Sequence, residues 1–188
     1  MNIETCRTGR TKQRSYCGDY MKAGLFGQNT VIDLLRSRPS ILEVSDWSNL
    51  EAVQMADVDC AIKTIDGHVI LAEIKTDTHL GITGNILFEV LRINHTCDPE
   101  FSTGLGWAAR TPAKYIFYFA PSVNKVYKFK TVNLRQAMQK YTKDKRKGTR
   151  LDIVETNSIK TTINILIPIE YCVGLYEVYD LDYLEETF

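Results

Sequence analysis

The sequence contains no apolar stretch long enough to cross a membrane, which takes about 20 consecutive residues. Residues 1–7 lack the basic-then-apolar order that begins a secretory signal. The five cysteines are an odd number, lie far apart and include no C-x-x-C pair, so a disulfide framework is not expected. These absences favour a protein of the reducing cytoplasm that has no membrane partner.

Several catalytic signatures are also missing from the sequence. Gly104 and Gly106 lie close together, but the lysine of a glycine-rich phosphate loop does not follow them. No serine occupies the pattern of a nucleophile elbow. The histidines and cysteines have no zinc-site spacing, and His95 and Cys97 are too close together for a usual finger. Nucleotide-loop, serine-nucleophile and zinc chemistry are therefore not expected.

The length of 188 residues and the apolar fraction of 44% predict one domain with its own core. We expect a single domain over residues 1–188, with the core at about 19–130. Residues 131–188 are predicted to add a C-terminal helix, a basic loop, an extra strand and an acidic tail. No internal repeat or low-complexity tract divides the chain.

Charge is balanced overall but unevenly placed along the chain. The 23 basic and 23 acidic residues cancel, yet residues 140–150 hold six basic side chains against one acid. A local positive patch binds a phosphate backbone even on a neutral protein. The predicted DNA contacts in this segment are Lys140, Lys143, Lys145, Arg146, Lys147 and Arg150. The alternative interpretation is a solvated basic loop and a solvated acidic tail.

Hydrophobic periodicity predicts a mixed α/β domain, with a central mixed sheet flanked by helices. The first helix is predicted over residues 19–37, ended by Pro39, and its apolar half contains Leu25 together with the amide of Gln28. A buried amide needs either a core hydrogen-bond partner or a site to point into. The other predicted helices cover 86–91 and 134–141, with a loop at 99–106, and the predicted strands cover 41–44, 57–62, 69–74, 114–119, 125–129 and 161–169.

Two predicted strands with acidic residues flank a turn that ends at Gly67. Alternate residues of a strand share a face, so the length of the turn decides which side chains meet. A two-residue turn pairs Asp59 with Ile74 and sends Glu73 to the opposite face. A three-residue loop at 65–67 pairs Asp59 with Glu73 and places Gly67 at positive φ. A shared carboxylate site therefore requires the three-residue loop.

The three-residue loop assembles residue types that suit a divalent metal ion. Mg²⁺ prefers oxygen ligands and is usually held by one or two carboxylates and a substrate phosphate. Asp59 and Glu73 supply two carboxylates, and the Ile74 carbonyl is predicted as a third ligand. The same register places Asp57 opposite Lys75. Because Lys75 shares a face with Glu73, its ammonium is predicted to orient an attacking water or to stabilise the transition state.

The alternative interpretation is an ordinary surface hairpin with cross-strand ion pairs between Asp57, Glu73 and Lys75. Residues 69–74 are nearly all apolar, which is typical of a strand buried on both faces. Glutamate and lysine are rarely buried without a partner or a function. The apolar flanks therefore favour a site.

This arrangement resembles the PD-(D/E)xK nuclease superfamily, which includes restriction endonucleases, Holliday junction resolvases and many phage endonucleases. Asp59 precedes Glu73-Ile-Lys75 by fourteen positions, on adjacent predicted strands that follow an opening helix. Within that helix, residues 24–28 resemble a resolvase-like pattern in which a glutamate faces the metal. Gln28 stands at the position of that glutamate.

The resemblance continues past the lysine. Residues 83–85 with Glu89, and Gly106-Trp107 before a strand, are similar to a phage and plasmid branch of these enzymes. Trp107 follows a glycine in a predicted loop, and one interpretation is that it stacks on a base or wedges into a duplex. The alternative is a loop tryptophan that covers the core.

The resemblance implies a restriction-endonuclease-like αβββαβ core and an intracellular Mg²⁺-dependent deoxyribonuclease, with Mn²⁺ as a substitute and DNA as the partner. In many members it also implies a homodimer. By the resemblance, Asp59, Glu73 and Lys75 form the site with Gln28, while Asp57 and Glu89 are auxiliary. A nuclease fold without catalysis, binding nucleic acid or a protein, is the alternative, because Gln28 replaces a glutamate and the net charge is zero.

Overall fold

The computed structural model describes residues 16–54, 56–95, 103–144, 151–156 and 160–181. Within these residues the helices are α1 Tyr16–Arg36, α2 Glu51–Gln54, α3 Leu80–Thr83, α4 Trp107–Arg110 and α5 Thr131–Asp144. The strands are β1 Ile41–Asp46, β2 Cys60–Thr64, β3 Val69–Thr76, β4 Asn85–Asn94, β5 Thr103–Leu105, β6 Tyr115–Ala120, β7 Lys125–Lys130, β8 Leu151–Thr156, β9 Lys160–Pro168 and β10 Tyr176–Asp180.

The main sheet has six strands in the order β1-β2-β3-β6-β7-β10. All neighbouring strands pair antiparallel except β3 and β6, which are parallel. The β6 and β7 strands are joined by a 3₁₀ turn at Pro121–Val123, as two consecutive antiparallel strands allow. The predicted mixed α/β fold with a central mixed sheet is confirmed.

Helix α1 covers one face of the main sheet. Its buried residues lie at the helical spacing Val31, Ile32, Leu34 and Leu35, and they pack on apolar side chains of β1, β2, β3 and β6. Gly27 allows the close approach, because a Cβ at this position would lie 1.9 Å from Oγ1 of Thr76. Leu25, predicted on the buried half of the helix, is instead exposed.

A second sheet, in the order β5-β4-β9-β8, packs on the opposite face of the main sheet. Its central strand β4 occupies the segment 86–91, where the sequence predicted a helix, so that prediction was wrong. A short apolar run does not distinguish a buried strand from a helix by periodicity alone. The segment becomes a strand because it pairs with β9, which is distant in the sequence. The pairing extends from Asn85 opposite Pro168 to Asn94 opposite Lys160.

The connection from β3 to β6 therefore differs from the expected αβββαβ order, in which one helix makes the crossing. Here the chain passes through α3, β4, β5 and α4 before it returns to the main sheet. Strand β5 lies in the predicted loop at 99–106, and β10 lies in the predicted acidic tail, where it pairs with β7. Both strands are short and were missed for lack of a hydrophobic pattern.

Strand alternation divides the core into two clusters, one on each face of the main sheet. On β6, Ile116 and Tyr118 face the second sheet, whereas Phe117 and Phe119 face α1. The face of a β3 residue can therefore be read from the β6 residue that it pairs with, and the face of a β2 residue from its β3 partner. None of the helices in the described residues is long and apolar enough to cross a membrane.

Candidate functional site

The β2–β3 hairpin closes with the three-residue loop at 65–67. The backbones of Thr64 and His68 pair across the loop, and the Gly67 N–H donates to the Thr64 carbonyl at 2.9 Å. The φ of Gly67 is +87°. The ladder continues through Lys63–Val69, Ile62–Ile70 and Cys60–Ala72. One further step along this register brings Asp59 opposite Glu73. The predicted register and the predicted positive φ are both confirmed.

Glu73 and Lys75 form a buried ion pair on the face of β3 that is turned away from α1. They pair with Ile116 and Tyr118 of β6, which both belong to the cluster under the second sheet. Lys75 Nζ contacts Glu73 Oε1, and the lysine side chain remains 31% exposed, whereas the glutamate side chain is 2% exposed. The surface-hairpin interpretation is therefore wrong, because the carboxylate lies inside the protein.

Burial raises the pKa of Glu73 to about 7, since the Lys75 ammonium offsets only part of the desolvation and Asp59 adds a further rise. Burial also acts to lower the pKa of Lys75, but Glu73 and Asp59 outweigh it and the net direction is upward. Glu73 Oε2 is buried and has no hydrogen-bond partner among the described residues. A buried carboxylate oxygen without a donor is unfavourable unless a cation or another ligand occupies the site.

Asp59 lies just before β2, at the edge where β3 continues beyond its partner. Its backbone N–H donates to Ala72 O at 3.0 Å, and its carboxylate accepts the Ile74 N–H at 2.7 Å. The side chain thus takes the place of the next carbonyl in the ladder. The backbone group of Ile74 that contacts Asp59 is therefore its N–H.

Asp57 does not lie on a strand, and the predicted pairing with Lys75 across the sheet was wrong. Strand β2 begins at Cys60, and Asp57 adopts the left-handed conformation at φ +53°. Its carboxylate oxygen Oδ2 accepts a hydrogen bond from Arg110 Nε at 2.6 Å and lies 2.5 Å from Arg110 Nη2 in an ion pair. Asp57 nevertheless lies close enough to the site for its charge to contribute to the raised pKa of Glu73 and of Lys75.

Trp107 is buried rather than presented to solvent, so the prediction that it stacks on a base was wrong. Trp107 is the first residue of α4. Its ring packs against those of Phe88 and Tyr118, with centroid-to-centroid distances of 6.4 and 6.1 Å. Its ring also lies 4.8 Å from Lys75 Nζ. The tryptophan therefore covers the core, as the alternative interpretation expected, and makes a cation–π contact with the site lysine.

In the described residues the side-chain hydrogen bond of Gln28 is made with Asp46 and not with Glu73 or Lys75. Its Nε2 donates to Asp46 Oδ1 at 3.0 Å, at the end of β1. Asp46 pairs with Cys60, whose side chain belongs to the cluster under α1, so Gln28 and its partner lie on the α1 face. The predicted role of Gln28 beside the metal stays a prediction. Asp46 went unnoticed because a single aspartate at a strand end carries no sequence signal.

Glu89, the predicted auxiliary carboxylate, belongs to β4 of the second sheet. It is mostly buried and binds Arg92 at 3.2 Å. A register shift in the β4–β9 ladder lies between Glu89 and Leu91, and Gly106 packs directly on the Glu89 backbone. Glu89 therefore supports the segment that carries Trp107, with its own charge paired to arginine.

Of the predicted DNA contacts at 140–150, two lie within the described residues. Lys140 and Lys143 are exposed on the last turns of α5, and Lys140 Nζ lies 5.7 Å from the Tyr171 ring. The remaining four, Lys145, Arg146, Lys147 and Arg150, lie outside the described residues.

The described residues contain no cluster of three or more histidine, cysteine or acidic side chains placed to hold a metal ion. The site instead offers two carboxylates at opposite positions of neighbouring strands, beside one ammonium, and within the described residues one oxygen of Glu73 has no hydrogen-bond partner. Comparison of the chain with protein-family models, with curated proteins and with solved structures gives no match.

Proposed function

We propose that the protein is a divalent-metal-dependent endonuclease that hydrolyses phosphodiester bonds of DNA. The observation that carries the proposal is that Asp59, Glu73 and Lys75 lie together at the end of one hairpin, with the Glu73 carboxylate buried. Glu73 Oε2 is enclosed with no donor from the described residues, although burial already disfavours the charge of this carboxylate. Such an oxygen is a costly feature for a purely structural ion pair, whereas it suits a cation ligand.

The residues present fit a divalent metal ion. Asp59 and Glu73 are the side chains that would hold it, with the Ile74 carbonyl as the backbone ligand of this proposal. Oxygen ligands and few protein carboxylates are typical of Mg²⁺ sites, and Mn²⁺ accepts the same donors. When bound, such an ion polarises a phosphoryl oxygen and lowers the pKa of a water molecule.

Lys75 has the position of the residue that serves the attacking water. Its ammonium contacts Glu73, stays partly open to solvent and lies on the face of Trp107, so few conformations are open to it. A fixed cation beside the reacting phosphate stabilises the negative charge of the transition state. Residues 140–150 contact the DNA backbone in this proposal, and the homodimer that the resemblance implies belongs to it as well.

Cleavage of supercoiled plasmid and of four-way junction DNA in Mg²⁺ or Mn²⁺ tests the proposal. We expect the wild-type protein to cut at least one substrate, and we expect Lys75→Ala and Glu73→Gln to lose cleavage. The control is Glu43→Gln, which changes an exposed carboxylate on β1. Absence of cleavage by the wild type, or equal cleavage by Lys75→Ala, would refute the proposal.

A module without catalysis is the second candidate, and one observation favours it. Glu73 is buried and its charge is already offset in part by Lys75, whose ammonium lies over the Trp107 ring, so the carboxylate has a cationic partner without any ligand. This candidate predicts salt-sensitive nucleic-acid binding that is unchanged in Glu73→Gln, and no heat of metal binding by calorimetry. Loss of cleavage in Glu73→Gln with unchanged DNA affinity would exclude it.

A further inference from the structure

Arg110 is the cation at the open side of the site. It is the last residue of α4, whose first residue, Trp107, lies on Lys75. The Arg110 side chain is 37% exposed, whereas its partner Asp57 is 10% exposed. The carboxylate therefore lies inside, towards Glu73, and the guanidinium faces solvent.

The guanidinium has unused donors. An arginine has five N–H groups in a planar fork; Asp57 accepts the hydrogen bond of Nε and forms an ion pair with Nη2. In the described part of the chain no other side-chain contact of Arg110 is present, which leaves the Nη1 edge open. A planar edge of this kind binds two phosphate oxygens at once, as lysine does not.

Arg110 is not needed to fasten α4 to the protein. Gly106 lies so close to β4 that a Cβ would be 2.2 Å from a backbone oxygen. Arg135 of α5 donates to two carbonyls of the α4 segment at 2.9 and 2.7 Å. Thr111 Oγ1 donates to the Asp57 carbonyl at 2.5 Å, and Trp107 is buried in the core. These contacts fix α4 whether or not Arg110 has a charged side chain.

The Asp57 backbone aims the carboxylate at Arg110. Its left-handed conformation is one that aspartate and asparagine tolerate better than other residues with a side chain. The carbonyl is held by Thr111, and the neighbouring Val58 N–H donates to Val53 O at 3.4 Å. Asp57 is thus a built support for one orientation of the guanidinium.

From this geometry we infer that Arg110 binds a backbone phosphate of the nucleic-acid substrate through its Nη1 edge, with Asp57 as the positioning residue that holds the guanidinium towards the site. The inference rests on the proposed function and names a substrate contact for it. Arg110 brings a positive charge to the mouth of a site whose two carboxylates would otherwise repel a phosphodiester.

Three variants separate substrate binding from a structural role. Arg110→Gln removes the charge of the guanidinium. Asp57→Asn suits the same backbone conformation but replaces the orienting carboxylate with a neutral amide. Lys130→Gln removes one cation from the opposite face of the sheet. Lys130 is a suitable control because it is exposed and pairs with Tyr115, which packs in the cluster under α1. Affinity for fluorescein-labelled duplex and junction DNA is measured in EDTA over a series of salt concentrations, together with urea unfolding.

For Arg110→Gln we expect DNA binding roughly tenfold weaker, with a salt slope smaller by about one. Asp57→Asn should keep the slope, because Arg110 keeps its charge, and should lower the rate of cleavage in Mg²⁺. A slope in Arg110→Gln equal to that of the wild type, while the wild type still cleaves, would overturn this inference and leave the proposed function intact. A wild type that neither binds nor cleaves DNA would overturn both.

Discussion

Replacing Glu73 with glutamine should stabilise the metal-free protein at neutral and alkaline pH. Glutamine has nearly the shape of a protonated glutamic acid and never carries the charge that burial disfavours. A structural ion pair gives the opposite expectation, because removing one partner leaves the other unpaired. The sign of the change in stability therefore distinguishes a functional carboxylate from a structural one.

The magnitude follows from the pKa. Burial raises the pKa of Glu73 to about 7 from an ordinary value of 4.5. The folded protein thus holds this proton more tightly than the unfolded chain does, so the free energy of unfolding falls as pH rises between these values. The difference corresponds to roughly 3 kcal/mol. With the side chain 2% exposed, solvent screening reduces this figure little.

Urea denaturation in EDTA from about pH 4.5 to about pH 8 measures the effect, since these values bracket the titration. We expect the wild type and Glu73→Gln to be equally stable at the acidic end. At the alkaline end the variant should be more stable by up to roughly 3 kcal/mol. Glu43→Gln is the matched control, because it removes one exposed carboxylate from β1.

Two results would refute this reasoning about Glu73. One is a Glu73→Gln variant that is less stable than the wild type at the alkaline end, which would make the ion pair a net source of stability. The other is an equal gain in Glu43→Gln, which would assign the effect to overall charge. Added Mn²⁺ should raise the stability of the wild type there and leave Glu73→Gln unchanged, because a ligand stabilises only the state that binds it.

Other predictions concern the loop, the α4 segment and the thiols. Gly67→Ala should cost about 1 kcal/mol in urea denaturation, because φ is +87° there, whereas Gly104→Ala has open space and should cost less. Gly106→Ala should displace α4 from β4, since the added Cβ would lie 2.2 Å from a backbone oxygen, and a red shift of tryptophan fluorescence would report it. Burial raises the pKa of Cys60 to about 12 and that of Cys172 to about 11. Neither thiol should therefore react with iodoacetamide near neutral pH in the folded protein. Mass spectrometry of peptides from protein labelled in its native state checks this.

The sequence could predict the hairpin register because chemistry and local geometry agree there. Only the odd loop brings Asp59 beside Glu73, and a glycine stands where that loop needs positive φ. The information lies within fifteen residues. Alternation along β3 then gives the shared face of Glu73 and Lys75 without any knowledge of the rest of the protein.

The remainder of the site depends on contacts between distant segments. Arg110 and Asp57 are fifty-three residues apart in the sequence. The left-handed conformation of Asp57 is not predictable from the residue type, as it would be from a glycine. Trp107 carried a loop signal, but its burial depends on a second sheet that the sequence concealed. That sheet was not predicted because the apolar pattern of β4 alone also fits a short helix. Only its pairing with β9 distinguishes the two.

The two sheets are interleaved along the chain, and this has a consequence for folding. Strand β4 comes between two strands of the main sheet, yet its long partner is β9, and β10 returns to the main sheet only after β9. A growing chain must therefore reach residues 160–168 before β4 can pair with β9 beneath the cover that Trp107 provides. Such distant pairings slow folding, and a chain truncated before β9 would present an open β4 edge to other chains. The ion pair lies within a local hairpin, but the cluster on its face of the sheet includes Ile165 and Ile167 of β9, far along the chain.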